Sequence, residues 1–326
     1  VERILKNIRE VTKGQFVAYD GDFFYLDLEK TTDYDAEVDA RIAAWGDSSS
    51  YVSRAFRTIA EADLNVAGQK PLEPGQSVFA DTAPWPKRNS YREGVLVIGD
   101  PLSGDRFRQG DFRFVLVGPV ASPAAQMRQD ELRLRVPFAD ELVQKLRRQA
   151  AAAALAAENS KERRTAFDKL AKEAAAQFRD LYLAKLLSAG EAEMGGSVTP
   201  LTDLHTTRPL NVLADVVDFV KGELLGPLFN DKYPSYPQFR TRITAVNIEA
   251  EMSRAIAALE KATLYGMDMN SRGYLESLGA TGKEGQFSSR NSAAAQIVLQ
   301  RVAANDKTGK VTPLDDVLRE LSAAPW

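Results

Sequence analysis

The chain predicts an α+β fold: a small mixed or antiparallel sheet with helices, then a long helical hairpin, then an all-α domain ending in a partial winged-helix-like segment. Three observations carry that expectation. Residues 94–98, 112–117 and 131–136 are short runs rich in Val, Ile, Leu and Phe, the last alternating strictly with charges. Residues 137–189 place apolar side chains at i+3 and i+4 spacing. Roughly 209–230, 246–264, 271–278 and 291–305 read as three or four shorter helices, separated by turns containing Pro or Gly.

Taken in order, Ile4, Leu5, Ile8 and Val11 have helical spacing. Residues 15–19 and 23–28 are aromatic and β-branched runs on either side of Asp20-Gly21, a strong hairpin signal because both turn positions tolerate positive φ. Thr32 or Asp33 caps a helix that runs to about Trp45, and residues 48–50 open another, carrying Val52, Phe56 and Ile59. Residues 65–93, rich in Gly, Pro and polar side chains, read as a linker or loop-rich stretch. The alternation of 131–136 predicts one buried and one solvated face.

Pro137 changes the rhythm. Leu142 and Leu146 begin one apolar stripe, and Phe167, Leu170, Ala174, Phe178 and Leu181 form a second. Between them Asn159 is placed to cap the next helix while Glu162 reaches back, a capping-box arrangement. Two antiparallel helices result, with one continuous helix as the alternative. Residues 190–207 read as a loop. Near the end Thr312 caps, Pro313 takes the first helical position, and Asp315 and Asp316 favour the helix N-terminus. The expected divisions are 1–136, 137–189, 190–287 and 288–326. The chain starts at Val1 without an initiator Met and stops soon after that last helix start, so it reads as a piece of a longer protein.

Composition removes several classes of chemistry. There is no cysteine and one histidine, His205, so thiol nucleophiles, disulfides and Cys/His zinc sites are impossible in this piece. No apolar run approaches the length of a membrane span, and the absence of Cys fits a cytoplasmic setting. A Gly-x-x-x-x-Gly-Lys-Ser/Thr loop is absent, and the glycines around 94–99 and 102–106 lack the Lys-Ser/Thr that reaches phosphate and magnesium. Asp33, Asp35, Glu37 and Asp39 alternate like a calcium loop. Val38 stands where that loop needs Gly, however, and Ala44 where it needs a carboxylate, so they read as an acid-enriched helix start. His205 has no Gly-x-Ser-x-Gly nucleophile with which to build a triad. A carboxylate-dependent hydrolase remains a reading to test, through two acids converging in a cleft. The sequence nominates no catalytic, cofactor or metal residue.

Charge is uneven although the net is only −3. Residues 20–63 are strongly acidic. The hairpin is basic, and Arg147, Arg148, Lys161, Arg163 and Arg164 lie on either side of its tip. They are the candidate nucleic-acid contacts, since a basic tip can track phosphates. The bland alternative is a solvated surface interspersed with Glu158, Glu162, Asp168 and Glu173, and no aromatic side chains are interleaved for base stacking.

Three segments together carry a family resemblance: 15–28 followed by Asp33-Tyr34-Asp35; 110–117; and 211–239 with Ile243-Thr244-Ala245. Their order resembles the region downstream of the nucleotide-binding domain in the large ATPases of BREX bacteriophage-resistance systems, the BrxC/PglY family. The resemblance implies a cytoplasmic P-loop ATPase parent that uses ATP and Mg. That parent would act with the methyltransferase PglX and the alkaline-phosphatase-like PglZ in antiviral defence. The family's ATP-binding residues precede Val1 in that order, so the resemblance implies a non-catalytic scaffold here, with no cofactor of its own. It would couple the ATPase domain to partner proteins or DNA and touch no membrane. A DNA-binding module acting through the hairpin or the winged helix is the alternative.

Overall fold

The computed structural model describes residues 4–5, 8, 17–19, 24–26, 33–46, 49–100, 110–120, 126–265 and 268–323. The fold is α+β. The chain forms two compact units, each discontinuous in sequence: Val1–Ile59 with Phe138–Ala184, and Ala60–Pro137 with Lys185–Trp326. No helix among the described residues is long and apolar enough to cross a membrane.

The first unit holds the paired strands β1 (Val17–Tyr19) and β2 (Phe24–Leu26), the helix α1 (Tyr34–Trp45) and most of α2 (Ser49–Asp63). It also holds α3 (Asp140–Glu158) and most of α4 (Lys161–Ala189). β1 and β2 run antiparallel with Val17 opposite Leu26, as the hairpin signal requires, while the Asp20-Gly21 turn lies outside the described residues. Asp33 caps α1 by accepting from the Ala36 amide at 3.0 Å. α3 and α4 break at Asn159-Ser160, so the helices are two and not one. Asn159 works differently from the expectation: its side-chain amide donates to the Leu155 carbonyl at 2.8 Å and closes α3. The Glu162 side chain lies outside the described residues.

α1 sits on the hairpin through Val38, which is fully buried against Ala151, Ala152, Leu155, Ala156, Phe167 and Ala171. The alanines let three helices approach closely, and Tyr34 meets Phe167 edge-on at 5.2 Å. A second cluster joins Phe56, Phe138, Phe178 and Tyr182, with ring centroids 5.3–6.3 Å apart. The Tyr182 hydroxyl has no hydrogen-bond partner among the described residues, and burial pushes the phenol well above its ordinary range. Tyr182→Phe removes a buried polar atom and leaves the ring, so it should be neutral or stabilise by about 1 kcal/mol. Urea melts of both proteins check this, and a loss of stability would mean that the hydroxyl is engaged.

The second unit is built on one six-stranded sheet in sequence order: β3 (Val78–Trp85), β4 (Ser90–Gly99), β5 (Arg113–Val117), β6 (Glu131–Arg135), β7 (Glu191–Met194) and β8 (Ser197–Pro200). β4, β5 and β6 are parallel, and the other neighbours are antiparallel. Three strands lie where the sequence suggested loops. β3 occupies the Gly/Pro-rich stretch, and it tolerates Pro84 because it is an edge strand. β7 and β8 form a hairpin closed by Gly195 and Gly196, both at positive φ, the two-residue turn whose twist suits a hairpin.

Helix α5 (Leu213–Lys232) covers one face of the sheet. Phe229 packs on Trp85 and Phe112 at 5.8 and 6.1 Å, and the Trp85 indole donates to Asn230 at 2.9 Å. On the other face Val78, Val95, Val97 and Val115 cluster. Strand β6 corrects the expectation of a solvated face, because Glu131 and Arg133 are as buried as Leu132 and Leu134. Glu131 accepts from Arg113 at 3.2 Å and from Arg133 at 2.6 Å, a buried ion-pair ladder across two parallel strands. Beyond the sheet follow α6 (Ile248–Tyr265), α7 (Met269–Ser277), α8 (Ala293–Asp306) and α9 (Leu314–Ala323). The Thr312 hydroxyl accepts from the Asn305 amide at 3.0 Å, tying the end of α8 to the residues before α9.

Candidate functional site

The five basic residues nominated from the sequence are not brought together. Arg147 and Arg148 lie about three turns before the hairpin tip, and Arg163 and Arg164 about one turn after it. The two pairs are therefore offset by roughly 12 Å along the hairpin. The acidic start of α1 reaches them. The Arg148 guanidinium bonds Asp35 and, at 3.1 Å, Asp39, while Arg163 bonds Glu37 at 2.5 Å. In the opposite sense Arg41 of α1 pairs with Glu158 at 2.5 Å. Arg164 lies 3.7 Å from Asp168, Arg147 is half-buried and Lys161 is exposed. The acidic alternation in α1 is thus a cap followed by arginine acceptors. Among the described residues no group of three or more His, Asp or Glu side chains converges as metal ligands. His205 sits exposed in its loop.

A denser arrangement lies in the second unit, where β4 runs past the start of β5. Asp111 is almost buried there, and its carboxylate accepts from Arg92 at 2.5 Å, from Lys232 at 2.8 Å and from the Tyr233 hydroxyl. Arg92 also lies 4.0 Å from the centroid of the Tyr233 ring, within cation–π range. Gly110 permits this approach. Its φ is +99°, and a Cβ there would stand 2.6 Å from the Gly94 Cα and 2.7 Å from the Glu93 carbonyl.

Burial pushes Asp111 up, but the bonds from Lys232, Tyr233 and Arg92 outweigh it and hold the carboxyl below its ordinary value. A carboxylate lowered by folding stabilises the fold fully above about pH 4, and loses that contribution as pH falls through the folded value. Asp111→Asn should therefore cost about 1–3 kcal/mol at neutral pH and reduce the loss of stability on acidification. Urea melts from acid to neutral pH check both effects, and equal acid sensitivity in the two proteins would refute the assignment.

Beside this knot opens a groove of about 910 Å³. One wall is the beginning of β4 with Asp111. The floor is Tyr236, Phe239 and Ile243, held to the strand by amide bonds from Phe239 to the Arg88 carbonyl and from Ile243 to the Asn89 carbonyl. The other wall is α6 with α7, which together bury Ala262, Leu275 and Ala280. Ile248, Met252 and Ile256 recur every four residues on the groove side of α6, and Met269 and Leu278 project from or beside α7. Met252 is 57 % exposed, Ile256 51 % and Met269 90 %.

Apart from the exposed Glu93, the ionic groups of the groove are engaged: Arg92 with Asp111, Arg240 with Glu276, and Glu251 with Arg254 and the Tyr274 hydroxyl. Two acids converging without cations, as carboxylate hydrolysis requires, are not the arrangement seen at Asp111 or Glu251. Sequence reading missed this groove because its lining comes from four separated stretches. Its one local signal was the apolar spacing of 248, 252 and 256, which reads equally well as core.

Comparison with curated proteins and with solved structures returns no match. A family model described as the DUF6079 third domain matches residues 48–233. The matched stretch spans the sheet, the hairpin and α5, and stops before the floor of the groove and its helical wall. It covers more than half of the chain, and the protein belongs to the DUF6079 third-domain family.

Proposed function

We propose that this chain is a non-catalytic interaction segment of a BREX bacteriophage-resistance ATPase, acting in the cytoplasm and linking the ATPase domain to a partner protein. The observation that carries the interaction reading is the wide apolar groove of the second unit, with half-exposed Met252 and Ile256 in its wall. Exposed apolar side chains gathered in one concave patch mark binding surfaces more often than scattered ones do. The link to BREX rests on the sequence resemblance, and PglX and PglZ are the partners that it names.

The alternative, DNA binding through the hairpin, has less support, because Arg148 and Arg163 are held by carboxylates of α1. Phosphates would have to displace Asp35, Glu37 and Asp39 to reach them.

The test is retention of PglX or PglZ, from the same BREX system as the ATPase, on the immobilised chain. One of them should be retained, and Ile256→Glu should reduce retention at least about tenfold, since it places a charge against the apolar face of the partner. Retention of neither partner would overturn the proposal.

A further inference from the structure

We infer that the groove takes the apolar face of an amphipathic α-helix about three turns long, carried by a partner protein. The inference rests on the reading of the chain as an interaction segment.

The wall sets the length. Ile248, Met252, Ile256 and Leu259 line the groove over three turns of α6, which amounts to roughly 16 Å. A helix laid along that wall meets a side chain at every turn, as packing of ridges into grooves requires.

The wall also sets the kind of contact. Backbone groups within α6 are hydrogen-bonded inside the helix, so this wall offers an incoming chain side chains and no strand edge. Met252 and Met269 are unbranched thioethers, able to adjust to aliphatic partners of differing shape.

The exposed apolar surface of these residues with Met269 and Leu278 is on the order of several hundred Å². That lies at the upper end for a patch on a monomer and approaches one side of a standard interface. A small polar ligand fits less well. Such sites fix their ligand with a few unengaged polar groups, whereas Arg92, Asp111, Arg240 and Glu251 already have partners. A second copy fits poorly too, because a two-fold contact sets the same surface against itself and two concave faces leave a void. With Arg92, Asp111, Arg240 and Glu251 paired and Glu93 exposed to solvent, the groove matches a face of little charge, and binding should depend little on salt.

The probe is a fluorescein-labelled designed helix of about 14 residues, with leucine at i, i+4, i+7 and i+11 and Glu/Lys elsewhere. The control peptide has the same composition with its leucines spread around the helix. Fluorescence anisotropy should show saturable binding at least about tenfold tighter than the control, changing less than about threefold between low and high salt. Met252→Glu and Ile256→Glu should each weaken it at least about tenfold, and circular dichroism should show the fold retained, since both side chains are half-exposed.

Equal binding of the control, or binding unchanged in both variants, overturns the inference. Sedimentation showing a dimer that Ile256→Glu dissociates would assign the groove to a second copy and also overturn it. If Ile256→Glu abolishes retention of PglX or PglZ while the designed helix fails to bind, the helix inference falls and the interaction reading stands. If the designed helix binds in the groove and neither partner is retained, the inference stands and the BREX assignment falls.

Discussion

Glu131→Ala should destabilise the second unit by about 3–5 kcal/mol, among the largest single-residue effects in the protein. Glu131 is fully buried, and its two oxygens accept from Arg113 and Arg133, themselves 1 % and 5 % exposed. Arg113 stands opposite Glu131 in the parallel register, and Arg133 follows two residues along the same strand. Truncating the carboxylate leaves two buried guanidinium groups around a vacated anion, the costly case, because breaking a buried pair removes the attraction and keeps the desolvation. Glu131→Gln retains the shape and an acceptor, and should lose about half as much. The measurement is the urea midpoint of the transition reported by the sheet, compared at unchanged slope. A cost below about 1 kcal/mol would show that solvent reaches the ladder.

Lys221→Met should cost about 3 kcal/mol by the same physics on the other face of the sheet. The Lys221 ammonium, 3 % exposed on α5, lies 3.1 Å from both oxygens of Asp81, 2.9 Å from the Thr82 carbonyl and 3.3 Å from Asp218. Three of these contacts fix α5 to the edge strand β3, so the substitution leaves Asp81 without its main cation under a helix. Lys221→Met combined with Asp81→Leu removes both charges and should recover most of the loss, since apolar replacement of a buried pair is often nearly neutral. A double-mutant cycle reads the coupling directly. If the double variant loses the sum of the two singles, the pair does not act as a unit and the account fails.

The local part of this fold was legible. Asp33 as a cap, the three strand segments at 94–98, 112–117 and 131–136, the break between two helices at Asn159-Ser160, and the apolar stripes of α2 and α4 each follow from neighbours within a few residues. So did a signal that sequence reading passed over. Gly195-Gly196 stands between two short runs able to form strands, which is hairpin chemistry. β3 was harder to see, because Gly75, Pro84 and Pro86 disguise an edge strand whose buried members are Val78, Phe79, Ala83 and Trp85.

Partnership between distant residues was not legible. The alternation of Glu131, Arg133 and Arg135 marks a strand, yet whether its charged face meets water depends on what stands opposite. Glu131 stands as an anion between Arg113 of the neighbouring strand and Arg133 of its own, and that shared carboxylate lets the charged face be buried. The acids of α1 and the arginines of the hairpin were each visible as charge runs, and each alone suggested an outside partner. More than a hundred residues apart in sequence, they turn out to be partners of one another, and their Coulomb attraction can be read only once the chain has folded. The groove is the same case in apolar form. A stripe such as Ile248, Met252 and Ile256 has one spacing whether it is covered or open.

By itself the sequence determined the class of fold, most of its helices, its central strands and the absence of thiol chemistry, because helix and strand periods and residue inventory are local properties. Only the tertiary structure decided which charges neutralise one another and which apolar stripe stays uncovered, because burial is set by whatever the rest of the chain brings alongside.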